Sequence, residues 1–161
     1  MTTFRREPFS LYEHLVGSRV KDKSLYEEAL THKSMRMKDT SGSACDNERL
    51  EFLGDAIIEA VVSDELYARY PDKKEGFLTT ARSKVVKRET LNEIARQLRL
   101  EEMIKRDEGV DYNSVDFLGN ALEALVGAVY LDLGYDAAKY FIRTHILDHI
   151  DMNNLLRNDI N

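Results

Sequence analysis

The stretch NERLEFLGD, from Asn47 to Asp55, decides the fold because it predicts a helix with an acidic face. Glu48, Glu51 and Asp55 have the spacing i, i+3 and i+7, which aligns them along one side of an α-helix. The ordinary interpretation is an amphipathic helix whose acidic side is solvated. Phe52 weakens it, because an aromatic residue borders the acids and no basic residue shares their face to offset their repulsion. Something positive is missing from this face.

A second helix, predicted from Ser114 to just before Gly134, is apolar on almost every side. That composition is typical of a central helix surrounded by others. Apart from one tyrosine hydroxyl, the polar side chains in its interior are Asn120 and Glu123, again at spacing i, i+3. A buried carboxylate needs a partner or a metal ion. On spacing alone, a hydrogen-bonded polar pair in the core is the alternative.

Packing the two helices with their acids facing each other would make one site of both patterns. Glu51, Asp55 and Glu123 would then converge with the amide oxygen of Asn120. Gly127, on the same face as Asn120, would let the helices approach closely. An all-oxygen set of this kind suits Mg²⁺, which keeps several waters and takes up phosphate oxygens of a substrate. The pattern alone therefore predicts a divalent-metal site.

The composition indicates the class of protein to which this site belongs. The chain has 161 residues, enough for one domain, and only 2 prolines and 8 glycines, which favours an all-α protein. A single cysteine excludes an internal disulfide framework and, with no apolar run long enough for a membrane span, predicts a cytoplasmic protein. The net charge of −6 argues against a nucleic-acid binder unless some of the acids hold cations.

Three segments carry a resemblance to a known family. NERLEFLGD closely resembles the nine-residue signature of the ribonuclease III family. LGNALEALVGAVYLD, from Leu118 to Asp132, resembles the family's second acidic motif, and KDKSLYEEALTHKS, from Lys21 to Ser34, resembles its N-terminal helical segment. The likeness covers roughly residues 10–150, in the order and spacing of the family.

The resemblance implies the all-α ribonuclease III endonuclease-domain fold, with two central buried helices carrying the acidic site. It implies a homodimer, without membrane attachment, that uses Mg²⁺, with Mn²⁺ as a substitute. It would cleave double-stranded RNA to 5′-phosphate and 3′-hydroxyl ends with short 3′ overhangs, in rRNA and mRNA processing. Residues 1–9 are then expected to be a flexible arm, 10–150 the endonuclease domain, and 151–161 the start of a linker to a double-stranded-RNA-binding domain missing from this chain.

The family's site residues carry over by position. The metal ligands implied are Glu51, Asp55, Asn120 and Glu123. Asp55 and Glu123 are also the implied catalytic residues, together with Glu48, which would assist from beside the cluster. Glu75 matches a mid-domain acidic position that helps to handle RNA. Phe52 matches an aromatic residue that plugs a cavity in the partner subunit.

One departure from the family pattern leaves an alternative open. The family has aspartate where this chain has Asn120, so one negative charge is lost and metal affinity should fall. The alternative is a catalytically weakened protein of the same fold that binds structured RNA. Two other features have ordinary interpretations: the basic run from Arg82 to Arg88 could contact RNA backbone or be a solvated helix face, and His145 and His149 are expected at the surface.

Overall fold

A computed structural model describes residues 8–110 and 117–157. These residues form eight α-helices joined by loops and short 3₁₀ turns, and their only β-type pairings are two isolated bridges. The all-α expectation is therefore confirmed. The helices are α1 (Pro8–Val16), α2 (Lys23–Ala29), α3 (Glu48–Arg69), α4 (Glu75–Val85), α5 (Arg88–Gln97), α6 (Phe117–Leu133), α7 (Tyr135–His145) and α8 (Met152–Arg157).

Helix α6 is the centre of the fold, as its apolar sequence predicts. Twelve of its 17 residues are buried. Helices α2, α3, α5 and α7 all pack against it, and α3 shares the most extensive contact. Such burial explains why α6 needs no polar face, and it places Glu123 in the interior. No helix in the described part of the chain is both long enough and apolar enough to cross a membrane.

Two glycines allow α3 and α6 to cross with their backbones in contact. A Cβ atom added to Gly54 would lie 1.6 Å from the carbonyl oxygen of Glu123. A Cβ added to Gly127 would lie 2.4 Å from the carbonyl oxygen of Leu50. Real Cβ atoms do not approach other atoms this closely, so this crossing requires glycine at both positions. The expectation of a close approach at Gly127 is confirmed, and the crossing fixes the two acidic patterns beside each other.

The sequence predicts that α3 runs from Asp46 or Asn47 to about Tyr70, and its ends agree closely with this, whereas those of α2 and α5 differ from the prediction. Helix α3 begins after Asn47, and the N–H of Glu48 donates to Asp46 Oδ1 at 3.0 Å. The apolar residues Leu25, Ala29 and Leu30 predict a helix from Ser24 to Ser34, but α2 ends at Ala29. Asp22 is its N-cap, because the Asp22 carboxylate accepts the Ser24 N–H.

Thr90 and Glu93 have the spacing of a capping box and predict a helix start at Thr90, but α5 begins two residues earlier, at Arg88. Its N-cap residue is Lys87, and the Thr90 hydroxyl donates to the carbonyl oxygen of Lys84 at 3.2 Å instead of capping. The earlier start brings Arg88 into the first turn of the helix. This small shift matters for the site described below.

The packed domain also extends further than residues 10–150. Helix α1 begins at Pro8, and α8 packs against α4 with Met152 and Leu156 buried. Residues 152–157 thus pack against the rest of the described helices, because their apolar side chains leave water. The predicted arm before Pro8, the predicted start of the second helix at Ser114 and the last four residues lie outside the described residues.

Candidate active site

The two acidic patterns meet in one pocket of about 270 Å³ at the crossing of α3 and α6. Its lining comprises four carboxylates, one aromatic ring and one guanidinium, from Glu48, Glu51, Phe52, Asp55, Arg88 and Glu123. The three acids of α3 therefore line the same pocket as the acid of α6, as the helical spacing predicts. The guanidinium comes from the first turn of α5, and it is the positive partner that α3 lacks.

Glu123 is the buried member of the group, with only 2% of its surface exposed. Its Oε1 accepts a hydrogen bond from Arg88 Nη1 at 2.7 Å, and its carboxyl group also hydrogen-bonds to Asp55. Burial and the hydrogen bond to Asp55 raise the pKa of Glu123 to about 8, while Arg88 acts in the opposite direction. The buried Glu123 carboxyl group therefore binds its proton more tightly than an exposed glutamate does.

Burial and neighbouring charges also shift the pKa of Glu51. Burial raises its pKa above the ordinary value, and the charges of Glu48 and Asp55 raise it further. Arg88 again opposes the shift. Fully ionised, four carboxylates against one guanidinium leave the pocket with three negative charges. A divalent cation would relieve this repulsion, and the donor atoms are hard oxygens of the kind that Mg²⁺ prefers.

Asn120 lies one turn before Glu123 on α6 and does not line the pocket itself. Its Oδ1 atom is buried and has no hydrogen-bond partner among the described residues. A buried carbonyl oxygen without a partner is uncommon, and a cation bound beside Glu123 would supply one. This orphaned oxygen and the four carboxylates of the lining fit a metal ion. Within residues 8–110 and 117–157, however, no three histidine, cysteine or acidic side chains already stand in a metal-binding arrangement.

Comparison with known proteins identifies the family. A family model described as Ribonuclease-III-like matches residues 22–150. The chain belongs to the ribonuclease III family. The resemblance of NERLEFLGD to the ribonuclease III signature is thereby confirmed, and the pocket contains four of the acids that the family pattern identifies.

Curated ribonuclease III relatives match nearly the whole chain. The chain is 46% identical over 157 residues to Ribonuclease 3 of Phocaeicola vulgatus, covering 97% of this chain and 51% of the relative. Against Ribonuclease 3 of Bacteroides fragilis it is 43% identical, covering 97% of this chain and 54% of the relative. The chain thus spans about half the length of the curated relatives it matches.

Solved ribonuclease III structures agree with the fold. The nuclease domain of ribonuclease III from Campylobacter jejuni superposes with a TM-score of 0.76 at 32% identity, covering 90% of this chain and 97% of that domain. A second structure of that nuclease domain, described for structural flexibility in the region involved in dimer formation, gives a TM-score of 0.77 at 33% identity. It covers 88% of this chain and 98% of that one.

Arg88 is the member of the ribonuclease III pocket that the sequence did not reveal. It was part of the basic run from Arg82 to Arg88, for which RNA contact and a solvated face were the two interpretations. The run is instead divided among different surroundings: Arg82 donates to Ser63 Oγ at 2.9 Å, and Lys84 is buried. The one signal that pointed to Arg88 was the unbalanced acidic face of α3, which called for a cation from elsewhere.

Three further residues singled out in the sequence, Phe52, Glu75 and His145, have different surroundings. Phe52 is 82% exposed at the rim of the pocket, although it is a large aromatic residue. Glu75 begins α4, where its carboxylate accepts a hydrogen bond from the Thr79 hydroxyl, and it does not line the pocket. His145 is not an ordinary surface residue, because its Nε2 atom is hydrogen-bonded to the Leu15 carbonyl oxygen and its ring packs on Phe141.

Proposed function

We propose that this domain is a divalent-metal-dependent endoribonuclease that cleaves double-stranded RNA. The observation that carries the proposal is the meeting of Glu48, Glu51, Asp55 and Glu123 in one pocket of a ribonuclease III-family domain. Acids brought together at a helix crossing, with one of them buried, have no evident structural purpose, because their mutual repulsion destabilises the fold. Its relatives in Phocaeicola vulgatus and Bacteroides fragilis are ribonucleases named Ribonuclease 3, which supports the same activity.

Glu51, Asp55, Asn120 and Glu123 are the proposed ligands of Mg²⁺, with Mn²⁺ as a substitute. When bound, the metal would acidify a water molecule and stabilise negative charge on the phosphodiester oxygens. Glu123 has to lose its proton to serve as a ligand, so the hydrogen bond that it shares with Asp55 is given up on loading. Asn120 contributes its carbonyl oxygen without a charge. Glu48, at the exposed start of α3, would assist from the edge of the cluster.

Homodimer formation through α3 is the second part of the proposal. Phe52 and Tyr67 lie on this helix with 82% and 75% of their surfaces exposed, an unusual situation for large apolar side chains. We propose that Phe52 inserts into a cavity of the partner subunit. A dimer would bring two copies of the pocket to one RNA duplex, which suits the cutting of both strands.

Because the chain has a net charge of −6, only certain parts of its surface can attract the phosphates of RNA. The bound metal and the exposed basic side chains would meet the phosphates, while shape and 2′-hydroxyl contacts would favour an A-form duplex. Glu75, which begins α4 outside the pocket, is proposed to handle RNA. Cleavage to 5′-phosphate and 3′-hydroxyl ends, rRNA and mRNA as substrates, and action in the cytoplasm complete the proposal.

The test is cleavage of a long RNA duplex at low salt, with Mg²⁺ or with EDTA. We expect short products in Mg²⁺, none in EDTA and none from Glu123→Gln in either. A single-stranded RNA of the same sequence is the substrate control. The alternative of a catalytically weakened RNA-binding protein is not favoured, because four of the acids line the pocket. Lack of metal-dependent cleavage by both the natural chain and Asn120→Asp would refute the enzyme proposal.

A further inference from the structure

Arg88 occupies the place where a cation is expected in the acidic pocket. Its Nη1 atom lies 2.7 Å from Glu123 Oε1, and its charge also acts on Glu51. The Arg88 side chain is 34% exposed, whereas that of Glu123 is 2% exposed. The guanidinium therefore reaches from the pocket mouth to the buried carboxylate.

The surroundings of Arg88 hold it in this position. Asn92, one turn later on α5, accepts the N–H of Gly119 at 2.8 Å and so joins the second turn of α5 to the first turn of α6. Gly119 leaves the space that the guanidinium uses, since a Cβ atom there would lie 3.1 Å from Arg88 Nη1. Arg88 is thus placed by the packing of two helices and not by a chance encounter of a long side chain.

The charge balance of the pocket suggests what Arg88 does. One guanidinium offsets one of the four carboxylates, and Asn120 adds no charge. The pocket is therefore two charges less negative than the same pocket with aspartate at position 120 and a neutral residue at position 88. The missing negative charge at position 120 and the positive charge of Arg88 each weaken the attraction of the pocket for a divalent cation. The Arg88 guanidinium would also repel a cation bound to Glu123 directly. Among the described residues, no three histidine, cysteine or acidic side chains are already placed to bind a metal ion together.

We propose that Arg88 is the resident counter-ion of the acidic cluster, and that it competes with the divalent cation for Glu123. In the metal-free protein it limits repulsion among the acids and stabilises the crossing of α3 and α6. A cation held by Glu123 would take the place of the Arg88 hydrogen bond, and the guanidinium would then lie nearer the pocket mouth, where a phosphate would bind. The inference rests on the proposed metal-dependent function and adds a device that sets the cation concentration at which the site loads.

The competing role for Arg88 is that of a positioning residue. A ligating carboxylate is often oriented by a second hydrogen-bond donor, and loss of that donor typically weakens metal binding by about 10–100-fold. Competition predicts the opposite sign. The effect of removing Arg88 on metal affinity therefore separates the two roles without any measurement of catalysis.

The experiment is calorimetric titration of Mn²⁺ into the natural chain and three variants at constant ionic strength. Arg88→Gln is expected to bind Mn²⁺ at least about tenfold more tightly, because the repelling charge is gone. Arg88→Lys keeps the charge and should stay within about threefold of the natural chain. Arg96→Gln, on the same helix with its own exposed partner Glu93, is the matched control and should change nothing. Circular dichroism confirms that each variant is folded.

Thermal unfolding gives a second readout. Without metal, Arg88→Gln should melt below the natural chain, and saturating Mn²⁺ should raise its melting temperature by more. Unchanged or weaker Mn²⁺ binding by Arg88→Gln would overturn the counter-ion role while leaving the metal site in place. Lack of Mn²⁺ binding by both the natural chain and Arg88→Gln would overturn the proposed metal site, and this inference with it.

Discussion

Replacing Gly54 with alanine tests the helix crossing on which the site depends. The added methyl group would lie 1.6 Å from the carbonyl oxygen of Glu123, which is backbone and cannot rotate away. Ordinary contact would require α3 and α6 to separate by roughly 2 Å along much of their length. Forced overpacking of a core typically costs about 1–3 kcal/mol, and a backbone clash of this depth belongs at the upper end.

The opposing effect in Gly54→Ala is helix propensity, which favours alanine over glycine by about 1 kcal/mol. Subtracting it leaves a net destabilisation of about 2 kcal/mol. For a domain of this size, that corresponds to a fall in melting temperature of about 4–8 °C. Urea unfolding followed by circular dichroism would give the free energy of unfolding directly, and a lower midpoint with an unchanged slope is the expected form.

Two other glycines supply the controls for Gly54→Ala. A Cβ on Gly127 would lie 2.4 Å from the Leu50 carbonyl oxygen, so Gly127→Ala should be destabilising but less so. Gly76, near the start of α4, has nothing within 4 Å of its added Cβ, and Gly76→Ala should be neutral or slightly stabilising. If Gly54→Ala proved as stable as Gly76→Ala, the account of a glycine-dependent crossing would be refuted.

Three further predictions concern the site and the dimer. Because the pKa of Glu123 is raised from 4.5 to about 8 in the fold, the metal-free protein loses stability as the pH rises from about 4.5 to about 8, and this group causes no further loss at higher pH. Glu123→Gln should therefore remove part of the stability lost between about pH 5 and pH 8 in thermal melts without metal; an unchanged pH profile would contradict the raised pKa. Asn120→Asp should tighten Mg²⁺ binding by about tenfold, because it adds a negative charge, and calorimetry measures this. Phe52→Ala should shift the chain towards monomer in sedimentation at micromolar concentration, while Tyr140→Ala on α7, also exposed, should not.

The main architecture of the site could be predicted because it depends on helical periodicity. Acids at i, i+3 and i+7 on α3, and a polar pair on an otherwise apolar α6, can share a space only if the two helices pack together. Gly127 added a reason for close packing. The position of Glu123 in the pocket followed from these local patterns without knowledge of the rest of the chain.

Arg88 could not be predicted in the same way, because its role depends on the relation between three helices. In sequence it resembles Arg82, which lies six residues earlier and bonds to Ser63 instead. The start of α5 also depended on whether the Thr90 hydroxyl would cap the helix or donate to the Lys84 carbonyl, two hydrogen bonds that compete locally. Only tertiary packing decided between them, and that decision placed Arg88 in the pocket.

The backbone contact between Gly54 and Glu123 makes the candidate site inseparable from the core of the domain. Many enzymes place their reactive groups on loops that open locally, while the scaffold stays folded. Here the peptide group of a proposed metal ligand is itself the point at which the two central helices touch. Slow amide hydrogen exchange in this part of α6 should therefore occur only through global unfolding. A partly unfolded form of the domain would have no site at all. Nuclease activity would therefore be lost in the same transition in which the domain unfolds.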